Sequence, residues 1–334
     1  MKRILVLGYF GHSSNKLDGQ TVKTRDVYRL VKEQYGEGVD FFDTEEFKRS
    51  KLSVLQMLAK VVRCHKLIYL PAHGNLKYLF PVLFCLASVS RVHIHYIVIG
   101  GWLREYLASL PLHRFMLSRI SGIYVETSIM KQELVQHYAW SNVSLLPNFR
   151  FFDFAPSRVA SEKVRLVFMA RVNRMKGLDW IFHLCEHIAT HGLESKFTVT
   201  FYGQINPADE AYFMEQLRRY RFAEYRGALL PEEIYATLSQ YDVLLLPTHF
   251  YTEGLPGSVV DAYISGLPVI VTAWKYATEF VDDGVTGFIV PFEQGEQELI
   301  DRVMRLEANR DLLATMQASA LRSRTRFAPP VLPF

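Results

Sequence analysis

Cysteine is nearly missing from this chain: Cys64, Cys85 and Cys185 are the only three in 334 residues, far apart and in apolar or mixed runs. Such spacing outlines neither a disulfide framework nor a thiolate metal site, and it fits a reducing compartment. Long hydrophobic runs are missing too. The most apolar stretch, residues 78–87, is interrupted by Pro81 and reaches about half a membrane span. The opening run from Ile4 to Phe10 is short and leads into a turn rather than a small-residue cleavage site, so no export signal is expected. No internal repeat or low-complexity tract is evident. The loop after this first run lacks the Gly-x-Gly-x-x-Gly fingerprint and the Walker lysine pattern, which disfavours a nicotinamide dehydrogenase. No motif of the nucleic-acid-binding classes is found, and no nucleic-acid partner is expected.

What is present is ample apolar material. The chain is 49% hydrophobic with a mean hydropathy of +0.05, enough for a large core, and its length favours two domains. The net charge of +4 hides an asymmetry. Residues 1–150 hold 20 Lys and Arg against 11 Asp and Glu, whereas residues 151–334 hold 18 against 23. A basic half beside an acidic half suggests that the first faces an anionic surface or substrate. An anionic membrane leaflet is the better guess, so the expected location is cytoplasmic, with room for peripheral attachment to the inner membrane face.

Short runs rich in Val, Ile, Leu and Phe alternate with longer charged segments of helical character. The predicted strands are 3–7, 67–70, 92–99, 122–126 and 143–146, then 165–169, 196–202, 243–246, 269–271 and 287–290. This alternation predicts an α/β chain with parallel sheets covered on both faces by helices. Residues 147–156 have proline at both ends and no periodicity, and read as a linker. The expected organisation is one Rossmann-like domain over 1–150, a second over 151–310, and a helix and tail over 311–334 that can pack back on the first.

The densest signal is Thr252-Glu253-Gly254-Leu255-Pro256-Gly257-Ser258-Val259-Val260-Asp261, between one buried strand and the Gly266-Leu-Pro-Val269 entry to the next. A carboxylate on a glycine- and proline-bound loop beyond a strand's carboxyl end lies where open α/β sheets bind ligands. The helix start offers N–H groups to phosphate, and the two acids offer acceptors to sugar or ribose hydroxyls. Ser258 to Asp261 also fits a capping box, in which Asp261 bonds the helix start. Ala170-Arg171-Val-Asn-Arg-Met-Lys176-Gly177 follows the first strand of the second half. Arg171 and Lys176 suit one diphosphate, as planar fork and point charge, although basic residues at loop tips are often just solvated. In the first half, Asp18-Gly19-Gln20-Thr21 precedes a helix over 22–31. Gly19 there either lets backbone approach a diphosphate or merely opens a helix capped by Asp18 or Thr21.

Histidines speak less clearly. His93 and His95 share one face of a strand and suit the core, while His73 and Asn75 lie on a loop suited to an acceptor. Residues 47–66 and 102–119, the latter starting at Trp102, are basic and amphipathic. Such segments lie in a headgroup layer or form core helices with a solvated edge.

Taken in order, these motifs resemble the family 4 retaining glycosyltransferases of the GT-B fold, also called glycosyl transferases group 1. The matching positions are Arg171, Lys176 and Gly177, then Gly203, Pro247-Thr248, Glu253 with Asp261, Gly266-Leu-Pro-Val269, Glu279 and Asp283-Gly-Val-Thr-Gly287. The resemblance implies two Rossmann-like domains whose parallel sheets face a central cleft. It implies that Arg171 and Lys176 neutralise a leaving nucleoside diphosphate and that Glu253, with Gly254 and Leu255, holds the donor sugar. Gly19, Gly203, Gly257, Ser258 and Asp261 complete the donor side, Asp261 on the ribose. His73, Asn75, His95 and Trp102 are the acceptor-side candidates. No metal and no cofactor is implied, a nucleotide sugar being the donor substrate and a glycan, lipid-linked in bacterial surface polysaccharide synthesis such as capsule or O-antigen, the acceptor. Two departures stand out: the second acid is Asp rather than Glu, and no histidine ends the strand over 92–99. An epimerase on the same fold, or a silent nucleotide-sugar-binding partner subunit, are the alternatives.

Overall fold

In the computed structural model, described for residues 3–13, 18–157, 161–332 and 334, the chain forms two compact units. The first comprises Met1–Phe151 with Pro329–Phe334, the second Phe152–Ala328. The first runs β1 (Ile4–Gly8), α1 (Gly19–Tyr35), β2 (Val39–Asp43), α2 (Ser53–Arg63), β3 (Lys66–Leu70), α3 (His73–Ser90) and β4 (His93–Ile97). It continues through α4 (Leu103–Leu107), α5 (Pro111–Leu117), β5 (Gly122–Val125), α6 (Ser128–Tyr138) and β6 (Val143–Leu145). The second runs β7 (Val164–Met169), α7 (Leu178–Thr190), β8 (Phe197–Tyr202), α8 (Glu210–Arg218), β9 (Ala223–Tyr225), α9 (Ile234–Leu238) and β10 (Val243–Leu246). It ends with α10 (Gly257–Ile264), β11 (Val269–Thr272), β12 (Gly287–Val290), α11 (Glu296–Ala308) and α12 (Arg310–Ser323).

Each unit holds one sheet of six strands, ordered β2-β1-β3-β4-β5-β6 and β12-β11-β10-β7-β8-β9, with parallel pairing throughout. Central strands such as β1, β5, β10 and β11 are buried at every position, so their sequences are continuous apolar runs. The two strands absent from the sequence expectation, β2 and β9, are both edge strands, one in each sheet. Their sequences, Val-Asp-Phe-Phe-Asp and Ala-Glu-Tyr, mix polar and apolar residues because an edge is half solvated. Strand order reverses between β1 and β3 in one sheet and between β7 and β10 in the other. The carboxyl ends beside such a reversal form the crevice where open sheets take ligands.

The C-terminal segment divides differently from the expected 311–334 piece. Helix α12 packs on α10 and α11 and stays in the second unit. Only the last residues count with the first unit: Leu332 joins the core with Val27, Leu30 and Phe149. Gln34 donates to the Pro330 carbonyl and accepts from the Leu332 amide.

Candidate active site

The site in the second unit begins with backbone that has no room for a side chain. Gly177 has φ +84°, and a Cβ there would lie 2.0 Å from the Pro247 carbonyl oxygen. Gly203 has φ +132°, with a Cβ position 1.8 Å from the Ala170 carbonyl oxygen. Only glycine meets both demands, so the loops after β7, β8 and β10 touch backbone to backbone. The β7 and β10 loops are then tied by hydrogen bonds. The His249 amide donates to the Met175 carbonyl at 2.8 Å and the Thr248 hydroxyl to the same carbonyl at 3.4 Å, while the Thr272 hydroxyl, at the end of β11, donates to the Thr248 carbonyl at 2.6 Å. Asn173 caps the short 3-10 turn Arg174–Lys176 by accepting from the Met175 amide at 2.7 Å.

This framework brings together two of the predicted residues that lie far apart in sequence. Lys176 Nζ is 2.5 Å from Glu253 Oε2, directly above the reversal between β7 and β10. The Thr248 hydroxyl donates to the same carboxylate oxygen at 3.2 Å, and the Phe250 ring lies 5.0 Å from the ammonium. Both charged side chains are 18% exposed, so solvent and ligand can reach them. Arg171 is exposed on the same loop, two residues past β7. Gly254 and Leu255 are buried behind Glu253, and Gly257 and Ser258 open α10 half-buried.

The capping box is not formed. Pro256 is the N-cap of α10 and makes no side-chain cap bond. Asp261 is the fifth helical residue, 4% exposed. A cap must precede the first turn, and the Leu-Pro entry moves the helix start two positions earlier than Ser258 requires.

Sequence reasoning missed the neighbours His249, Asp179 and Trp180. His249 Nε2 is 3.4 Å from Asp179 Oδ1, and the Trp180 ring stands edge-on at 5.1 Å. Burial works against ionisation of Asp179, but the hydrogen bond and charge of His249, together with a backbone hydrogen bond and the Arg174 charge, outweigh it and hold its pKa below the ordinary value.

In the first unit, Asp18 caps α1, accepting from the Thr21 amide at 3.0 Å. Gly19 is the exposed first residue of that helix, with open space where a Cβ would stand. His73, Asn75 and Trp102 fall together at the carboxyl ends of β3 and β4. The His73 ring lies 3.7 Å from Trp102 and 5.3 Å from Tyr106, a third ring the sequence reading passed over. The Tyr106 hydroxyl donates to the His73 carbonyl and Trp102 Nε1 to the Ile99 carbonyl. Burial lowers the His73 pKa. Tyr69 donates to the Asn75 carbonyl at 3.0 Å.

His95 does not belong with them. It sits mid-strand, 7% exposed, bonded to the Tyr124 hydroxyl at 3.0 Å and covered by the Phe334 ring at 4.6 Å. Burial, then the charges of Lys66, His93 and His65, push its pKa down to about 4. It is a core histidine, and its acceptor assignment is withdrawn. The side chain points to the face that the C-terminal tail covers, which no local pattern reveals.

The pair with no sequence signal is Lys23 and Glu126. Both are buried and form a short ion pair between α1 and the residue after β5. The Gly100 amide donates to the other Glu126 oxygen at 3.2 Å. Arg150 and Asp26 lie alongside, with Nη1 3.3 Å from Oδ2. Burial lowers the Lys23 pKa against the pull of Glu126.

Residues 163–309 match the family described as Glycosyl transferases group 1. That match lies wholly within the second unit. Two relatives that overlap it are the poly(ribitol-phosphate) alpha-N-acetylglucosaminyltransferase of Staphylococcus aureus and the amylovoran biosynthesis glycosyltransferase AmsK of Erwinia amylovora. The first is 23% identical over 211 residues, 61% of this chain and 40% of that protein. The second is 25% identical over 175 residues, 50% and 42%. The chain thus spans about two fifths of the length of the curated relatives it matches. Among solved structures, Anabaena HepE in complex with UDP and glucose superposes with a TM-score of 0.73 at 16% identity, covering 98% of this chain and 96% of that one. The architecture is GT-B. Within the matched residues, Lys176 and Glu253 occupy the two loops that flank the strand-order reversal.

Proposed function

We propose that the chain transfers a sugar from a nucleoside diphosphate to a hydroxyl of a bacterial surface glycan, carried on a lipid at the inner face of the cytoplasmic membrane. The observation that carries this reading is the Lys176–Glu253 contact across the strand-order reversal of a group 1 domain. A cation and a carboxylate held 2.5 Å apart match the two halves of a sugar nucleotide. The ammonium, with Arg171, takes the diphosphate charge, and the carboxylate takes the sugar hydroxyls. The relatives act on a poly(ribitol-phosphate) and in amylovoran biosynthesis, which supports a polymeric surface glycan as acceptor.

In the reaction, the acceptor oxygen forms a bond to the anomeric carbon as that carbon's bond to the diphosphate oxygen breaks. The bonding pair leaves with the diphosphate, which takes the acceptor's proton on the same face, so configuration is retained. Charge on the leaving group is met by Arg171 and Lys176 in place of a metal ion.

A thermal-shift screen of UDP-, GDP-, ADP- and CMP-sugars tests the donor reading. One base class should stabilise the fold by about 2.7 kcal/mol at a hundredfold excess over Kd, with EDTA present. Product NMR should then show the donor's anomeric configuration. No shift with any nucleotide sugar, or an epimer formed without acceptor, would overturn the proposal.

A further inference from the structure

The basic segments singled out in the sequence remain unused by the transfer site, and the fold places them side by side. Right-handed crossovers from β2 to β3, β3 to β4 and β4 to β5 put α2, α3 and α5 on one face of the first sheet, and α1 on the other. Helix α2 packs beside α3, and α3 beside α5. Between Phe47 and Arg104 the chain has nine Lys and Arg and no Asp or Glu. All of α2 and α3 falls in this stretch, and α5 also has no acid.

The outer side of these helices is apolar as well as basic. Leu55, Val62, Tyr78, Val82, Leu112 and Phe115 are exposed, Tyr78 by 72% and Leu112 by 59%. Among them stand Lys51, Arg63, Lys77, Arg91 and Arg119. Among the described residues, no carboxylate pairs with these five. Two of them lie over the exposed rings instead: Lys77 is 5.4 Å from the Tyr78 ring and Arg119 is 4.8 Å from the Phe115 ring. The surrounding elements differ. Arg104 of α4 pairs with Glu133 of α6, and Arg29 with Glu33 on α1; on α2 itself only Lys60, at the β2 side, is paired among the described residues, with Asp40. Unneutralised positive charge is therefore concentrated where apolar side chains are exposed. No helix of the described residues is long and apolar enough to cross a membrane.

We propose that the α2–α3–α5 face docks on an anionic lipid surface, with Lys and Arg at the phosphate level and the apolar side chains in the headgroup boundary. A protein partner would need a matching acidic rim, whereas a leaflet supplies negative charge and an apolar boundary in one plane. The inference deepens the lipid-linked acceptor reading, but binding is measured without donor or acceptor, so each can fail alone.

The test is co-flotation of the full chain with phosphatidylcholine vesicles with and without phosphatidylglycerol. Binding should need the anionic lipid and weaken as salt is raised. The triple variant Arg63→Gln, Arg91→Gln, Arg119→Gln should lower partitioning on the order of 10²-fold, at about one Boltzmann-weighted kcal per cation. Val82→Ser, Leu112→Ser, Phe115→Ser should lower it too. Arg218→Gln, Arg219→Gln, Arg221→Gln in the second unit should bind as wild type, with melting curves confirming that all three fold. Equal binding to neutral vesicles, or wild-type binding by the first triple variant, would overturn the proposal. So would an apolar variant that binds vesicles normally but turns a dimer into a monomer in light scattering, since the occupant would then be a second copy.

Discussion

Each unit holds a lysine–glutamate pair near the carboxyl ends of its strands, and the two pairs are built for different ends. Lys176 and Glu253 are each 18% exposed and rest on loops locked by close backbone contact. Lys23 and Glu126 are 1% and 2% exposed, with a backbone amide and a second ion pair beside them. An ion pair that keeps its water can exchange its partner for a ligand. One stripped of water holds its charges in place, because either charge left alone is costly. The difference teaches that burial, not residue type, separates a ligand-facing pair from a framework pair.

The largest way to break this comparison is to remove half of the buried pair. Lys23→Met or Glu126→Gln alone should cost about 3–5 kcal/mol in urea denaturation, and Lys23→Met with Glu126→Leu should recover most of it. Singles as stable as wild type would show that the pair is not framework. Next in size, Lys176→Ala or Glu253→Ala should lower turnover on the order of 10²-fold or more, while stability changes by less than about 1 kcal/mol. Near-normal turnover would remove these residues from the site, and a loss of stability matching the buried pair would erase the distinction.

A change per pH unit smaller than either of these sharpens the framework side. His95 has a folded pKa of about 4 against an ordinary value of 6.5. Between those values the unfolded chain binds a proton that the folded chain refuses. Stability should therefore fall as pH drops from 6.5 toward 4, by up to about 1.4 kcal/mol per pH unit. His95→Phe should flatten that part of a pH–denaturation profile; an unchanged slope would assign the loss to other groups.

Much of the second unit was legible from short-range pattern. Val243 to Leu246 reads as a buried strand because both faces are covered. Glu253 reads as site because, unlike Asp261, its position in the sequence suggests no helix start for it to cap. The capping box was misread because Leu255-Pro256 sets the helix start, and the pattern Ser-x-x-Asp repeats that logic out of phase. The first unit was less legible at its site. Lys23 and Glu126 are 103 residues apart and lie in elements whose local pattern is ordinary. His95 suits the core by its strand position, but what covers it, Phe334 of the C-terminal tail, has no local signal.

By itself, the chain's order of apolar runs and turns determined two parallel α/β units, the loop that bears Glu253 and the basic bias of the first half. These are local or compositional properties, set by burial of a strand on two faces and by the chemistry of the loop residues. Tertiary structure alone decided which charges are dry and which are wet. It also decided that Gly177 must be glycine, because Pro247 is brought against it, and that α2, α3 and α5 pool their cations on one face. Desolvation and steric contact depend on what folds over a residue, and in this chain those neighbours come from tens to hundreds of positions away.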